Sequence, residues 1–299
     1  MKPTSATAAF ACLLFGATAA IAQDDMADVQ IVTTDLGNGL FMLSGAGGNL
    51  ALSVGEDGTF LVDDELQPLT EKVIAAVAAQ TDVPVSFVVN THWHFDHAGG
   101  NERLGSDGAV IIAHDNVRTR MSNPHYFEAF DMHVPASAHA ALPVITFADG
   151  LTLHLNGEDV AVTHVAPAHT DGDAIVVFEG ANVVHLGDLF FNGFYPFIDL
   201  SSDGSVAGMI DAANLALTMV DDDTRIIPGH GPLGSKADLE AFRDMLVAVA
   251  AAVQARIDEG MTLEQAVAAA PTAAYDAEWA DGLLTPDQFA GIVYTDLAD

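Results

Sequence analysis

Three histidines and one aspartate stand within six residues in His92-Trp93-His94-Phe95-Asp96-His97. Neutral imidazole and carboxylate are both good donors to zinc. Extended backbone puts His92 and His94 on one side, because side chains along a strand alternate. A turn allowed by Gly99 and Gly100 then carries Asp96 and His97 round to a second centre. One histidine alone would read as a packed core or surface residue. Four donors in this pattern point to metal binding.

Three more donors lie further along. His169 stands in Ala166-Pro167-Ala168-His169-Thr170-Asp171-Gly172, Asp188 in His185-Leu186-Gly187-Asp188, and His230 in Pro228-Gly229-His230-Gly231-Pro232. Each follows a predicted strand and has Gly or Pro beside it, where backbone can approach an ion. Together the seven donors, at the ends of four strands, suffice for two metal centres.

The elements that must carry them can be read from the apolar pattern. Val85 to Val89 is apolar but for Ser86, as in a strand buried on both faces, and it runs straight into the histidine cluster. Strands are expected at 30–33, 40–43, 50–54 and 60–63, and again at 109–113, 159–165, 174–178, 183–186 and 224–227. A helix starts at Pro68 and runs to about Gln80, with Leu69, Val73, Ile74 and Val77 on one face. Others are expected over 206–219, from 235 to about 258, after Thr262 with Gln265 as a capping box, and after Thr285-Pro286. Strand runs broken by crossing helices imply an α/β fold, a four-layer αββα sandwich of two mixed sheets. Residues 23–299 are expected to form one domain, with residues 235–299 a helical part packed on it.

Composition excludes other classes. Nine Lys and Arg stand against 42 Asp and Glu, giving a formal net charge of −33. So few cations cannot build the basic stripe that a nucleic-acid partner needs, and an acidic surface repels anionic lipid. Lys2, the uncharged run Ala8 to Ala20 and the small residues of Ala20-Ile21-Ala22 read as a cleaved signal peptide over 1–22. The run is too short to span a bilayer. The expected location is periplasmic or secreted, with no membrane association after cleavage. Cys12, the one cysteine, lies inside that segment, so neither a disulfide nor a thiolate ligand is available to the mature chain.

Taken together, the His-x-His-x-Asp-His motif and the ordered His169, Gly187-Asp188 and Gly229-His230-Gly231 segments resemble the metallo-β-lactamase superfamily over about Gln30 to Phe242. The resemblance implies a zinc hydrolase with two Zn2+ per chain. His92, His94 and His169 would bind the first ion, Asp96, His97 and His230 the second, and Asp188 would bridge them. Asp63 matches an acidic position that orients a ligand histidine. A metal-bridging hydroxide would attack a carbonyl carbon, with Asp96 both a ligand and the catalytic group that orients it.

Some residues depart from the family's branches. The best-known zinc β-lactamases carry Cys where this chain has Asp188, and Lys where it has Phe191. An Asp bridge is typical of the glyoxalase II-like and lactonase branches, yet the lactonase tyrosine and the glutathione-binding basic residues are absent. The diiron branch has Glu in place of His94. On these residues the leading expectation is hydrolysis of a β-lactam amide, a small-molecule substrate suited to an exported enzyme. The alternative is a lactone or thioester hydrolase. A second alternative is a metal-binding protein without catalysis, a partner in an exported redox or sulfur pathway. No obligate protein partner is inferred. Phe190, Phe191, Phe194, Tyr195 and Phe197 follow Asp188 and are expected to line the pocket; Trp93 and Phe95 are expected beneath the metals, with Trp93 reaching the pocket. The segment Met121 to Pro143 either walls the mouth of the site or covers the core. His154, His164 and His185 read as packed strand residues, and His114 as the end of a strand.

Overall fold

A computed structural model of the chain describes residues 26–127, 131–165 and 167–298. The expected signal peptide, residues 1–22, lies outside the described residues. Fourteen strands and eight α-helices follow in order among the described residues. The first sheet holds β1 (Val32–Asp35), β2 (Leu40–Ser44), β3 (Leu50–Gly55), β4 (Gly58–Val62), β5 (Val85–Val89), β6 (Val110–His114) and β9 (Ile145–Phe147), in that spatial order. The second runs β10 (Gly150–Leu155), β11 (Glu158–His164), β12 (Ala174–Phe178), β13 (Val183–Phe191) and β14 (Arg225–His230). Between β6 and β9 a small hairpin pairs β7 (His125–Phe127) with β8 (Met132–Val134). The helices are α1 (Thr70–Ala78), α2 (Asn101–Ser106), α3 (Asp115–Met121), α4 (Val206–Met219), α5 (Lys236–Asp258), α6 (Leu263–Ala268), α7 (Asp276–Trp279) and α8 (Pro286–Ala298).

Alternation along the strands separates three cores. Phe60 and Val62 of β4 meet Val183 of β13 and Ile227 of β14 in the layer between the sheets. Their neighbours on the other face, Leu61 of β4 and Val88 of β5, pack against Val73 and Val77 of α1 and Leu104 of α2. Val184 and Ile226, on the outer face of the second sheet, meet Met209 of α4, Phe242 and Leu246 of α5, and Phe289 of α8. The order helix, sheet, sheet, helix follows from these contacts. Burying each large apolar side chain is worth about 1.5–3 kcal/mol, so each layer is held by many such contributions. The C-terminal helices share their core with β13, the strand that carries Asp188. No helix of the described residues is long and apolar enough to cross a membrane.

Several elements differ from the sequence reading in ways that matter for the site. Helix α1 begins at Thr70, after a single 3-10 turn over Gln67–Leu69 that has Pro68 in its first turn. Both β13 and β14 run on past their expected ends, so Asp188 sits within β13 and His230 ends β14 instead of following them in loops. All nine residues of β13 are buried, and Gly187 breaks its register with β14 at a left-handed φ of 50°. Only glycine adopts that conformation cheaply, and a Cβ there would also lie 2.5 Å from Thr91 Oγ1. The break is what turns Asp188 toward the histidines.

Candidate metal centre

Strand β5 stops at Val89, and the histidine cluster bends at once instead of continuing extended. The carbonyl of His94 accepts the N–H groups of both His97 and Ala98, closing a tight turn. Its position is fixed by Asp63, a fully buried residue just past β4 with φ 61°. Asp63 Oδ1 accepts from the Thr91 backbone at 2.7 Å, and Oδ2 from the Thr91 hydroxyl at 2.7 Å. Oδ2 also lies 2.8 Å from His97 Nδ1. With that nitrogen tied down, His97 Nε2 points at Asp188.

Three other histidines are held the same way, by the ring nitrogen that faces away from the site. His92 Nδ1 is 3.0 Å from Thr91 Oγ1, His94 Nε2 is 3.0 Å from Asp199 Oδ2, and His169 Nδ1 is 2.8 Å from the Phe197 carbonyl. Such partners hold the outward nitrogens protonated and leave the inward ones with free lone pairs. His94 Nδ1 and His169 Nε2 then face each other at 2.9 Å. Two lone pairs converging at that distance call for a cation between them.

Two donor groups result. His92, His94, His169 and Asp188 form one, and Asp96, His97 and His230 the other; within each, the donor atoms lie within 4.8 Å of one another. Asp188 faces both. Its Oδ2 is 3.4 Å from His169 and 3.9 Å from His92, and its Oδ1 is 3.0 Å from His97 and 3.4 Å from His230. Gly229 makes room for it, since a Cβ there would lie 2.0 Å from Asp188 Oδ1. His92 Nε2 is buried and makes no hydrogen bond. An orphaned acceptor inside a site of imidazoles and carboxylates fits divalent metal, and the all-N/O donor set suits zinc.

The electrostatics agree. Burial lowers the affinity of His92 for a proton well below the imidazole range, and brings His169 to about 4. Burial pulls His230 down too, but Asp188 and Asp96 overcome it and raise the ring to about 9. His97 is raised for the same reason, against burial, by Asp188, Asp96 and Asp63. Burial pushes Asp96 up, yet His97 and His230 hold it at about 2. Two ionised carboxylates thus draw positive charge into a buried site, which protons or a metal can supply.

The expected pocket residues fall into different surroundings. Phe191 is buried and stacks on His230, ring centres 5.2 Å apart. Phe194 instead packs over Gly282, near the C-terminal helices. Tyr195 turns into the core: its ring stacks on Phe289 at 4.8 Å and its hydroxyl donates to Asp276 Oδ1 at 2.8 Å. The reason is the apolar surface that α8 offers it. Trp93 is buried and stacks on Phe127 at 4.9 Å, while Phe95 does not pack beneath the donors but is 42% exposed. Phe127 also lies 5.2 Å from the His94 ring, so the hairpin of β7 and β8 abuts the donor cluster. His114 and His164 stack on each other at 3.7 Å, and His185 is buried with its Nε2 3.0 Å from the Asn49 carbonyl; none of the three is in a donor group. Asp199, which the sequence reading missed, is anchored as the cap of a 3-10 turn, where its Oδ1 accepts from Ser201.

The model of the metallo-beta-lactamase superfamily matches residues 47–230, more than half of the chain, which therefore belongs to that superfamily and is one of its hydrolases. A probable hydroxyacylglutathione hydrolase, glo2, of Schizosaccharomyces pombe is 27% identical over 200 residues, 64% of this chain and 67% of the relative. Among solved structures, a metallo-beta-lactamase from Pontibacter korlensis matches with a TM-score of 0.60 at 18% identity, covering 73% of this chain and 99% of its own. The DIM-1 metallo-beta-lactamase matches with a TM-score of 0.58, also at 18% identity, over 73% of this chain and 98% of its own. At that identity the two structures establish the fold, a pair of mixed sheets with helices, and nothing finer.

Proposed function

We propose that this protein is an exported zinc hydrolase that cleaves thioesters. The observation that carries the reading is Asp188, an aspartate between two donor groups where the best-known β-lactamases have cysteine. The relative similar in sequence is named for a thioester, whereas the likeness to the β-lactamase structures is one of fold. The thioester alternative therefore takes precedence over the β-lactam expectation. We infer two zinc ions per chain, one on His92, His94 and His169 and one on Asp96, His97 and His230, with Asp188 shared. Zinc at such a site lowers the pKa of bound water toward 7 and polarises a carbonyl. The chain's own groups do the rest. Asp96 is partly exposed, with its Oδ2 3.3 Å from His230 Nε2, and as an ionised carboxylate it can accept a hydrogen bond that orients the attacking water. Asp63 keeps His97 aimed inward. A thiolate is a stable leaving anion, so the site needs no strong acid to protonate it.

Export rests on the charge and apolar pattern of residues 1–22. Mass spectrometry of the protein recovered from the medium or periplasm should give a chain starting at Gln23; an intact N-terminus would refute it. For the activity, zinc-loaded protein is offered a hydroxyacyl thioester, a chromogenic cephalosporin and a chromogenic lactone. Release of free thiol should be the fastest of the three reactions. Faster opening of the β-lactam or the lactone would overturn the thioester reading.

A further inference from the structure

The eight Lys and Arg among the described residues can be followed one by one, and none of these side chains stands free beside the metal donors. Lys2 lies outside the described residues. Lys72 donates to the carbonyls of Met26, Ala27 and Val29. Arg118 donates to the Pro143 carbonyl, and Arg225 to those of Leu36 and Ala181. Four others pair with surface carboxylates. That leaves Arg120, which lines a cavity of about 160 Å³ beside Trp93 and Phe95. Its guanidinium is already held by two carboxylates, Asp171 at 2.6 and 2.8 Å and Asp203 at 2.8 Å. Glu102 lines the same cavity, and together with Asp171 and Asp203 it outweighs the one positive charge of Arg120.

Around the donors themselves stand rings. Phe127 lies 5.2 Å from His94, Phe197 lies 6.0 Å from both His94 and His169, and Phe191 stacks on His230. A substrate carboxylate or phosphate beside these rings would lose water and gain no hydrogen-bonding cation. Screening over about 8 Å at physiological salt makes these near groups, and not the distant surface, decisive.

We propose that the substrate carries no negative charge, on its acyl group or on its thiol. The inference rests on the thioester reading for the bond broken, and on the cation census for the charge. It sets this chain apart from an enzyme built for glutathione or coenzyme A thioesters, both of which are anionic. One hydroxyacyl group is attached in turn to N-acetylcysteamine, which is neutral, to glutathione and to coenzyme A. With the zinc-loaded protein kcat/KM should be at least tenfold higher for the neutral thioester than for either anion. Because the cost falls on groups close to the donors, most of the gap should persist when salt is raised from about 20 mM to about 500 mM. Equal or faster turnover of the anionic thioesters by the unmodified protein would overturn the charge inference and leave the thioester reading standing. Hydrolysis of none of the three would overturn the thioester reading; the charge inference is then read from binding alone. For that arm, 2-mercaptoethanol and mercaptoacetate are titrated into cobalt-substituted protein and followed by the thiolate absorption. Tighter binding of the neutral thiol supports the inference, and tighter binding of mercaptoacetate overturns it.

Discussion

Asp199 Oδ2 lies 3.0 Å from His94 Nε2, although 105 residues separate the two. The carboxylate, itself held by Ser201, fixes which ring nitrogen of His94 faces the donor cluster. Asp199→Ala should free the ring to rotate and to lose the inward lone pair. Zinc affinity is then expected to fall roughly 10–100-fold, as is usual when the partner of a ligand histidine is removed. Competition against a chromogenic chelator measures it; an unchanged affinity would show that packing by Phe127 and Phe197 orients the ring unaided.

Asp96 has a different task, since its carboxylate is partly open to solvent. Asp96→Asn keeps the shape and removes the charge. Turnover should drop at least roughly a hundredfold, the scale of losing an essential catalytic group. A near-normal kcat in metal-replete protein would remove Asp96 from the mechanism.

Gly229 tests the seat of Asp188. In Gly229→Ala the new methyl would lie 2.0 Å from Asp188 Oδ1, so the carboxylate or β14 must shift. We expect a stability loss of about 1–3 kcal/mol from overpacking, read by denaturant unfolding of the metal-free protein. Zinc bound per chain should fall at the same time. Full metal content with unchanged stability would mean that β13 and β14 yield easily at this point.

Proton release offers a test that needs no variant. Without metal, His230 is raised to about 9, so at pH 7 it carries a proton that zinc must displace. Affinity should therefore rise with pH up to about 9, close to tenfold per unit from this group and more from His97, which is raised as well. The direction is set by the raised value: the proton is bound below it and absent above it. Calorimetric titrations in buffers of different ionisation enthalpy should detect proton release at pH 7 that fades toward pH 10. A flat affinity between pH 6 and pH 9 would contradict it.

The metal donors stand out in the sequence because four of them crowd into His92–His97 and Asp188 and His230 sit beside Gly, and the strand feeding His92 could be bounded to the residue. Strand β10 is missing from the sequence reading, although alternating Leu151, Leu153 and Leu155 precede Asn156-Gly157, both at positive φ in its hairpin with β11. Asp199 carries no such sign. Ile198-Asp199-Leu200-Ser201 reads only as a capped turn, and its meeting with His94 depends on how β13 returns across the sheet. Tyr195 could not be assigned either. An aromatic leaving a donor loop can face the pocket or the core, and here the choice belongs to α8, almost a hundred residues downstream.

The donors run from residue 92 to residue 230 and are divided between two sheets. Neither sheet holds a complete set. The strands that bring them together pair in parallel, β4 with β5 and β13 with β14, and each pairing needs a long crossover to close first. Contacts of such sequence separation form late, after most of the chain has found its place. Metal bound to the finished site therefore contributes little to the transition state for folding. Its effect falls on the reverse step: loaded protein should unfold more slowly than metal-free protein while refolding at the same rate. A bound ion would then act as a latch on a closed structure without a part in closing it.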